Sequence, residues 1–193
     1  MKRYLVGGAV RDIFMNKTPK DFDYVVVDST PDHMTSLGFK EVGKDFPVFL
    51  HPKTGEEYAL ARTEKKEGAG YKGFTVEWEG ITLEQDLERR DLTINSMAID
   101  GDPENLIDPF DGISDIRNKI LRHTSDSFVE DPVRVLRVGR FLARFGEDWK
   151  VADETYSLCQ KVAWNEFDSL TAERVFNEMK KAASKKDVKP VGL

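Results

Sequence analysis

At 193 residues, 39% hydrophobic and 33% charged, the chain is long enough for one or two domains and a sizeable core. Its 29 Lys and Arg face 35 Asp and Glu, a formal net charge of −6, so there is no overall cationic surplus of the kind that draws polyanions. Any anion-binding surface therefore requires its basic residues to be concentrated locally. One cysteine, Cys159, excludes an internal disulfide, and no apolar run approaches the ~20 residues that span a bilayer. Met1-Lys2-Arg3 leads into a strand-like segment rather than a signal-peptide apolar stretch. A reducing, cytoplasmic setting without membrane contact is the expectation.

Tyr4 to Val6 reads as a strand, Gly7-Gly8 as a turn, and Ala9 to Met15 as a helix. A backbone at such a glycine turn can approach a phosphate, and a helix start attracts one. Asp21 and Asp23 then open the apolar strand Phe22 to Val27. At i and i+2 in a strand, their carboxylates point to one side, an all-oxygen pair suited to one or two magnesium ions rather than zinc. A glycine turn or an Asp-x-Asp alone is commonplace; their order and spacing, with Arg11 and Asp12 closing the turn, is specific.

Further along, Pro31 to Leu37 reads as helix, and Val48 to His51 and Glu57 to Ala61 as strands. Glu57 is a candidate third acidic residue, with Glu56 and Glu64 as equals on sequence. Thr63 to Gly80, with Gly68, Gly70 and Gly73, lacks sustained period and reads as a mobile loop. Leu83 to Arg89 and Ser114 to Asn118 read as helices. The first ends at Arg89-Arg90-Asp91, with Asn95 following; guanidinium forks suit phosphate oxygens because they donate paired hydrogen bonds.

From Asp131 onward the pattern is helical only, over Asp131 to Phe145, Asp153 to Val162 and Thr171 to Ala183. Pro132 suits a first turn. Taking 100° per residue from Arg134, the side chains of Arg137, Arg140 and Arg144 fall at about 300°, 240° and 280°. Val135, Val138, Phe141, Leu142 and Phe145 occupy the arc from about 340° through 100°. One face is core. The other carries four arginines with only Glu130 on the same arc, a face that would repel itself without an anionic partner.

These stretches resemble the head domain of polymerase-beta-like nucleotidyltransferases and, more narrowly, bacterial class II CCA-adding enzymes, from about Lys2 to about Glu178. The resemblance implies an α/β (α+β) head with a mixed sheet over residues 1–125 and a helical neck over 126–193. It implies that Asp21 and Asp23 are catalytic and hold Mg²⁺, and that Gly8, Arg11 and Arg90 hold a triphosphate. Asp91 and Asn95, in an RRDxxxN motif, would address the sugar or order the site. Asp108-Pro109-Phe110-Asp111-Gly112 resembles a third motif, of structural role.

Glu130-Asp131-x-x-Arg134 resembles the EDxxR motif that selects CTP and ATP without a nucleic-acid template. Cytosine and adenine each present an amino donor beside a ring-nitrogen acceptor, which a carboxylate beside a guanidinium fits. Arg137 and Arg140 match positions that bind the incoming nucleotide. The implied activity is addition of C and A to the tRNA 3′ end; a poly(A) polymerase, a partial CC-adding enzyme and a non-catalytic nucleotide- or RNA-binding module are the alternatives. The resembling enzymes continue beyond Thr171 to Phe176 into body and tail domains, so a homodimer or partner chain is expected to supply that surface. Lys180, Lys181, Lys185 and Lys186 read as a solvated tail, and His33, His51 and His123 as structural or surface residues.

Overall fold

The computed structural model describes residues 1–42, 48–66, 74–162, 167 and 170–183. In chain order the elements are β1 (Lys2–Val6), α1 (Gly8–Phe14), β2 (Asp23–Val27), α2 (Pro31–Ser36), β3 (Lys40–Glu41), β4 (Val48–Leu50) and β5 (Glu57–Leu60). There follow β6 (Thr63–Lys66), β7 (Phe74–Glu77), α3 (Leu83–Glu88), a 3-10 turn (Thr93–Asn95), β8 (Ala98–Ile99), β9 (Leu106–Ile107) and α4 (Gly112–Asn118). The remainder is β10 (Ile120–Leu121), a second 3-10 turn (Asp126–Glu130), α5 (Val133–Phe145), β11 (Lys150–Val151), α6 (Asp153–Lys161) and α7 (Ala172–Ala183).

Seven strands form one mixed sheet in the order β3-β4-β5-β2-β1-β8-β9. β1 pairs antiparallel with β2, Val6 opposite Asp23, while β2 runs parallel to β5 with Asp23 beside Glu57. That register sets the Gly-Gly turn next to the start of β2. Val25 and Val27 pack in one cluster with Tyr4, Val6 and Leu87; Val26 packs in another with Met34, Phe49 and Tyr58. Both faces of β2 are thus covered, which explains its unbroken apolar run.

A third cluster joins Val10 of α1, Leu92, Ile94 and Met97 to Val138 and Phe141 of α5. The apolar arc of α5 lies as its periodicity required, with Val135, Leu142 and Phe145 packed at the cluster's margin. Burying a side chain such as Phe141 contributes roughly 1.5–3 kcal/mol. This packing anchors α5 against α1 and the segment after α3.

Three expectations are corrected. The segment read as a mobile loop carries two strands, since β6 and β7 pair antiparallel from Thr63↔Glu77 to Lys66↔Phe74; Gly68, Gly70 and Gly73 lie outside the described residues. The chain after Asp131 is not helical only, because β11 pairs in parallel with β10. Two-residue strands carry too little pattern to read. Finally, α5 begins at Val133, with Asp131 extended at φ −124° and ψ 103°; the pyrrolidine ring disfavours helical geometry at the residue preceding a proline.

Candidate active site

Gly7 adopts φ +68°, where a side chain would be strained, and a Cβ there would stand 3.1 Å from Arg90 Nη1. The glycine turn and the second arginine of Arg89-Arg90 are therefore in contact. Asp23 lies beside them. Desolvation, and to a lesser degree the neighbouring Asp21 charge, push its carboxyl above the usual range, while Arg90 opposes the rise. A carboxylate crowded by burial and by a like charge is the electrostatic setting that a bound cation relieves, so this oxygen-only pair fits a hard divalent ion. Glu57 sits in register with Asp23 on β5 and is exposed. Among the described residues no three His, Cys, Asp or Glu side chains cluster as a metal site.

The Arg89-Arg90-Asp91 segment is positioned by α3, whose start is fixed by a capping box between Thr82 and Gln85. Buried Asp86 receives both arginines: Nε and Nη2 of Arg89 donate to its Oδ1, and those of Arg90 to its Oδ2. Burial pushes the Asp86 carboxyl up, but Arg90 and Arg89 outweigh it and hold it below the usual range. Next, Asn95 Nδ2 donates to Asp91 Oδ1 at 3.1 Å, and Arg11 Nη1 donates to Asn95 Oδ1 at 2.6 Å. Arg11 is 4% exposed and also holds Asp12 through Nε and Nη2.

Asp91 links this chain to α5, since Arg137 Nε donates to its Oδ2 at 2.7 Å. Burial acts upward on Asp91, but the Arg137 charge and the hydrogen bonds of Arg137 and Asn95 bring its pKa to about 2. Arg140 Nε donates to Glu178 Oε2 at 2.5 Å, and Arg144 Nη2 to Asp12 Oδ2 at 3.4 Å. The self-repulsion expected of the arginine face is thus relieved partly within the protein, by carboxylates from α1, α7 and the Asp91 segment.

Each member of the EDxxR pair has its own partners within the fold. Asp131 is gripped by Arg174 of α7, whose Nη1 and Nη2 donate to its two oxygens at 3.0 and 2.7 Å. Arg134 instead donates to the backbone carbonyls of Ser127 and Arg89 at 2.8 and 2.7 Å. Arg174 and Glu178 were missed because their partners lie 43 and 38 residues away. Asp86 was missed too, although its spacing of three and four residues from Arg89 and Arg90 at the end of α3 is a signal that could have found it.

Asp108 closes its own turn, accepting from the backbone N–H of Gly112 and Ile113 at 2.7 and 2.9 Å. Among the histidines, the His51 ring accepts from Thr54 N, and the His123 ring pairs with the Thr155 hydroxyl.

One cleft of about 650 Å³ gathers these groups. Every residue expected in the site lines it except Asp21 and Glu57, which lie outside its lining. Ten cationic side chains, Lys181 among them, and three carboxylates face the cleft, the local concentration that a net charge of −6 requires. The family described as poly A polymerase head domain matches residues 3–122.

The chain belongs to that family. A multifunctional CCA protein of Aliivibrio salmonicida (strain LFI1238) is 58% identical over 189 residues, covering 96% of this chain and 46% of the relative. The Bacillus stearothermophilus CCA-adding enzyme, solved in complex with CTP, has a TM-score of 0.74 at 28% identity, covering 93% of this chain and 44% of its own. The Thermotoga maritima CCA-adding enzyme, complexed with tRNA-CCA, has a TM-score of 0.72 at 29% identity, covering 96% and 43%. The chain spans about half the length of the curated relatives it matches. As a member of the head-domain family it shares their mixed sheet. No helix among its described residues is long and apolar enough to cross a membrane.

Proposed function

We propose that this chain is a template-independent RNA nucleotidyltransferase that adds C and A to the 3′ end of tRNA and releases pyrophosphate. The observation that carries it is the single cleft in which Asp23, the Gly7-Gly8 turn and Arg90 meet Asp131 and Arg134. The head spans residues 1–125 and the neck 126–193, and the setting is the cytoplasm, where tRNA, CTP and ATP occur together. The relatives solved with CTP and with tRNA-CCA support this choice of substrates.

Asp21 and Asp23 would hold Mg²⁺, which when bound would supply acidification of the RNA 3′-hydroxyl and neutralisation of the leaving pyrophosphate's charge. Arg90 lies over the glycine turn and grips the triphosphate there; Gly8 leaves the backbone open to it, and buried Arg11 backs the turn. Asp91 and Asn95 hold Arg11 and Arg137 in line. Asp131 reads the amino group of cytosine or adenine: a carboxylate has about four lone-pair sites, of which the Arg174 fork uses one on each oxygen and the Val133 N–H a second on Oδ1, leaving one on Oδ2. Arg134, fixed by two carbonyls, donates to the ring nitrogen. Arg137 and Arg140 complete the nucleotide's surroundings. Most of the catalysis is positioning and electrostatics.

The test is extension of tRNA transcripts ending before CCA, with Mg²⁺ and CTP, ATP or both, against Asp21→Ala/Asp23→Ala. CCA addition that vanishes in the variant is the expected result. An A-only ladder would replace this reading with a poly(A) polymerase, arrest at CC with a partial enzyme, and bound nucleotide without addition with a binding module or a chain that needs a partner.

A further inference from the structure

We propose that Asp86 is a positioning residue: it aims Arg90 at the Gly7-Gly8 turn and thereby sets affinity for the triphosphate without touching it. The inference rests on the nucleotidyl-transfer reading above. Asp86 is 0% exposed and absent from the cleft lining, whereas Arg62, Arg89 and Arg90 all line it. Five N–H groups converge on its carboxylate. Arg89 gives Nε and Nη2 to Oδ1 at 3.1 and 2.7 Å, and Arg90 gives Nε and Nη2 to Oδ2 at 3.3 and 2.9 Å. The backbone N–H of Arg62 adds a fifth, to Oδ1 at 3.2 Å.

Both guanidiniums present the same edge to Asp86. The corner of Arg90 left over is Nη1, and it is Nη1 that hangs above Gly7, 3.1 Å from where a Cβ would be. A guanidinium gripped along one edge by a buried carboxylate cannot rotate about its stem, so the opposite corner has one direction. An arginine side chain loses much rotamer freedom when it is fixed, and ordering it before the ligand arrives removes that cost from binding. Asp86 and Arg90 are i and i+4 on the end of α3, and the Arg62 N–H ties the same carboxylate to the exit of β5. The carboxylate is therefore fixed from two elements while it fixes a third group.

Two roles for Asp86 make opposite predictions. A carboxylate that only neutralised two arginines would weaken anion binding, and its removal would tighten it. A positioning carboxylate strengthens anion binding, and its removal loosens it. Titration calorimetry of the full chain with inorganic triphosphate, CTP and ATP decides, with folding followed by circular dichroism. Asp86→Asn is expected to weaken all three ligands alike, about tenfold, with the CTP to ATP affinity ratio unchanged. In an Arg90→Ala background the same substitution is expected to have no further effect, because Asp86 acts through Arg90.

Unchanged or tighter triphosphate binding by Asp86→Asn would overturn the inference, as would an equal loss in the Arg90→Ala background or a shift in the CTP to ATP ratio. Should Asp86→Asn fail to fold, Asp86→Glu carries the same test. It keeps the charge and displaces both forks by a methylene, and a several-fold loss of triphosphate affinity is expected. A parent chain that binds no inorganic triphosphate removes the nucleotidyl-transfer reading and this inference with it. A parent that binds, beside variants that bind equally well, removes this inference alone.

Discussion

Gly112 leaves no room for a side chain. A Cβ there would stand 2.5 Å from the Thr93 carbonyl oxygen and 2.9 Å from the Met97 side chain, both in the buried segment that also carries Asn95. Backbone at that distance must move for even a methyl group. Gly112→Ala is expected to destabilise the fold by roughly 2 kcal/mol, read as a lower urea midpoint at unchanged slope. Asp91 makes the residue-scale case for charge. Its pKa falls from 3.8 to about 2 in the fold, a depressed carboxylate, so its contribution is present above the unfolded value and lost as pH drops through the folded one. At neutral pH this contributes on the order of 2 kcal/mol. The stability gap between the parent and Asp91→Asn, measured by denaturant titration, is expected to shrink as pH falls from about 4 to about 2.

At the scale of elements, α7 is held by charge. Arg174 pairs with Asp131, and Glu178, 8% exposed, pairs with Arg140 and faces Arg137, while Phe176 and Met179 are each 63% exposed. Its polar side faces the protein and much of its apolar side faces water. Removing one partner of a buried pair leaves an uncompensated charge, at a cost of about 3–5 kcal/mol. Glu178→Ala is expected to release α7, seen as faster amide exchange over Ala172–Ala183 with the amides of β1 and β2 unchanged. This helix also marks the limit of what periodicity reveals. The strands about β1, β2 and β5 and the α5 faces were legible because burial imposes a repeat on them. The inward side of α7 was not, since a charged stripe that meets other charges looks in sequence like one that meets solvent. The Asp131 to Arg174 pairing was hidden for the same reason: nothing local to Glu130-Asp131-x-x-Arg134 records a third group arriving from 43 residues away.

For the whole molecule, the decisive quantity is how charge is distributed. The cleft lining holds ten cations against three carboxylates, while the chain as a whole is at −6, so the surface outside the cleft is strongly anionic. A polyanion is repelled from most approaches and admitted at one. RNA affinity is expected to fall steeply with salt, with a log–log slope of about −2 to −4 for three to five phosphates of single strand. Affinities at 50 and 200 mM KCl give the slope, and a flat dependence would place RNA away from the cleft.

The sheet order also fixes a sequence of events in time. β1 meets β2 after a short excursion, but its other edge is closed only by β8, with Leu5 opposite Ile99. Arg90 reaches Gly7 only in a chain whose ninth decade of residues has folded back on its first. The Asp131 and Arg134 groups emerge from the ribosome later still, and the α7 contacts after them. A nascent chain therefore carries Asp21 and Asp23 before Arg90, Asp131 and Arg134 have been made. The ability to hold a nucleotide switches on only once these long-range contacts have formed together.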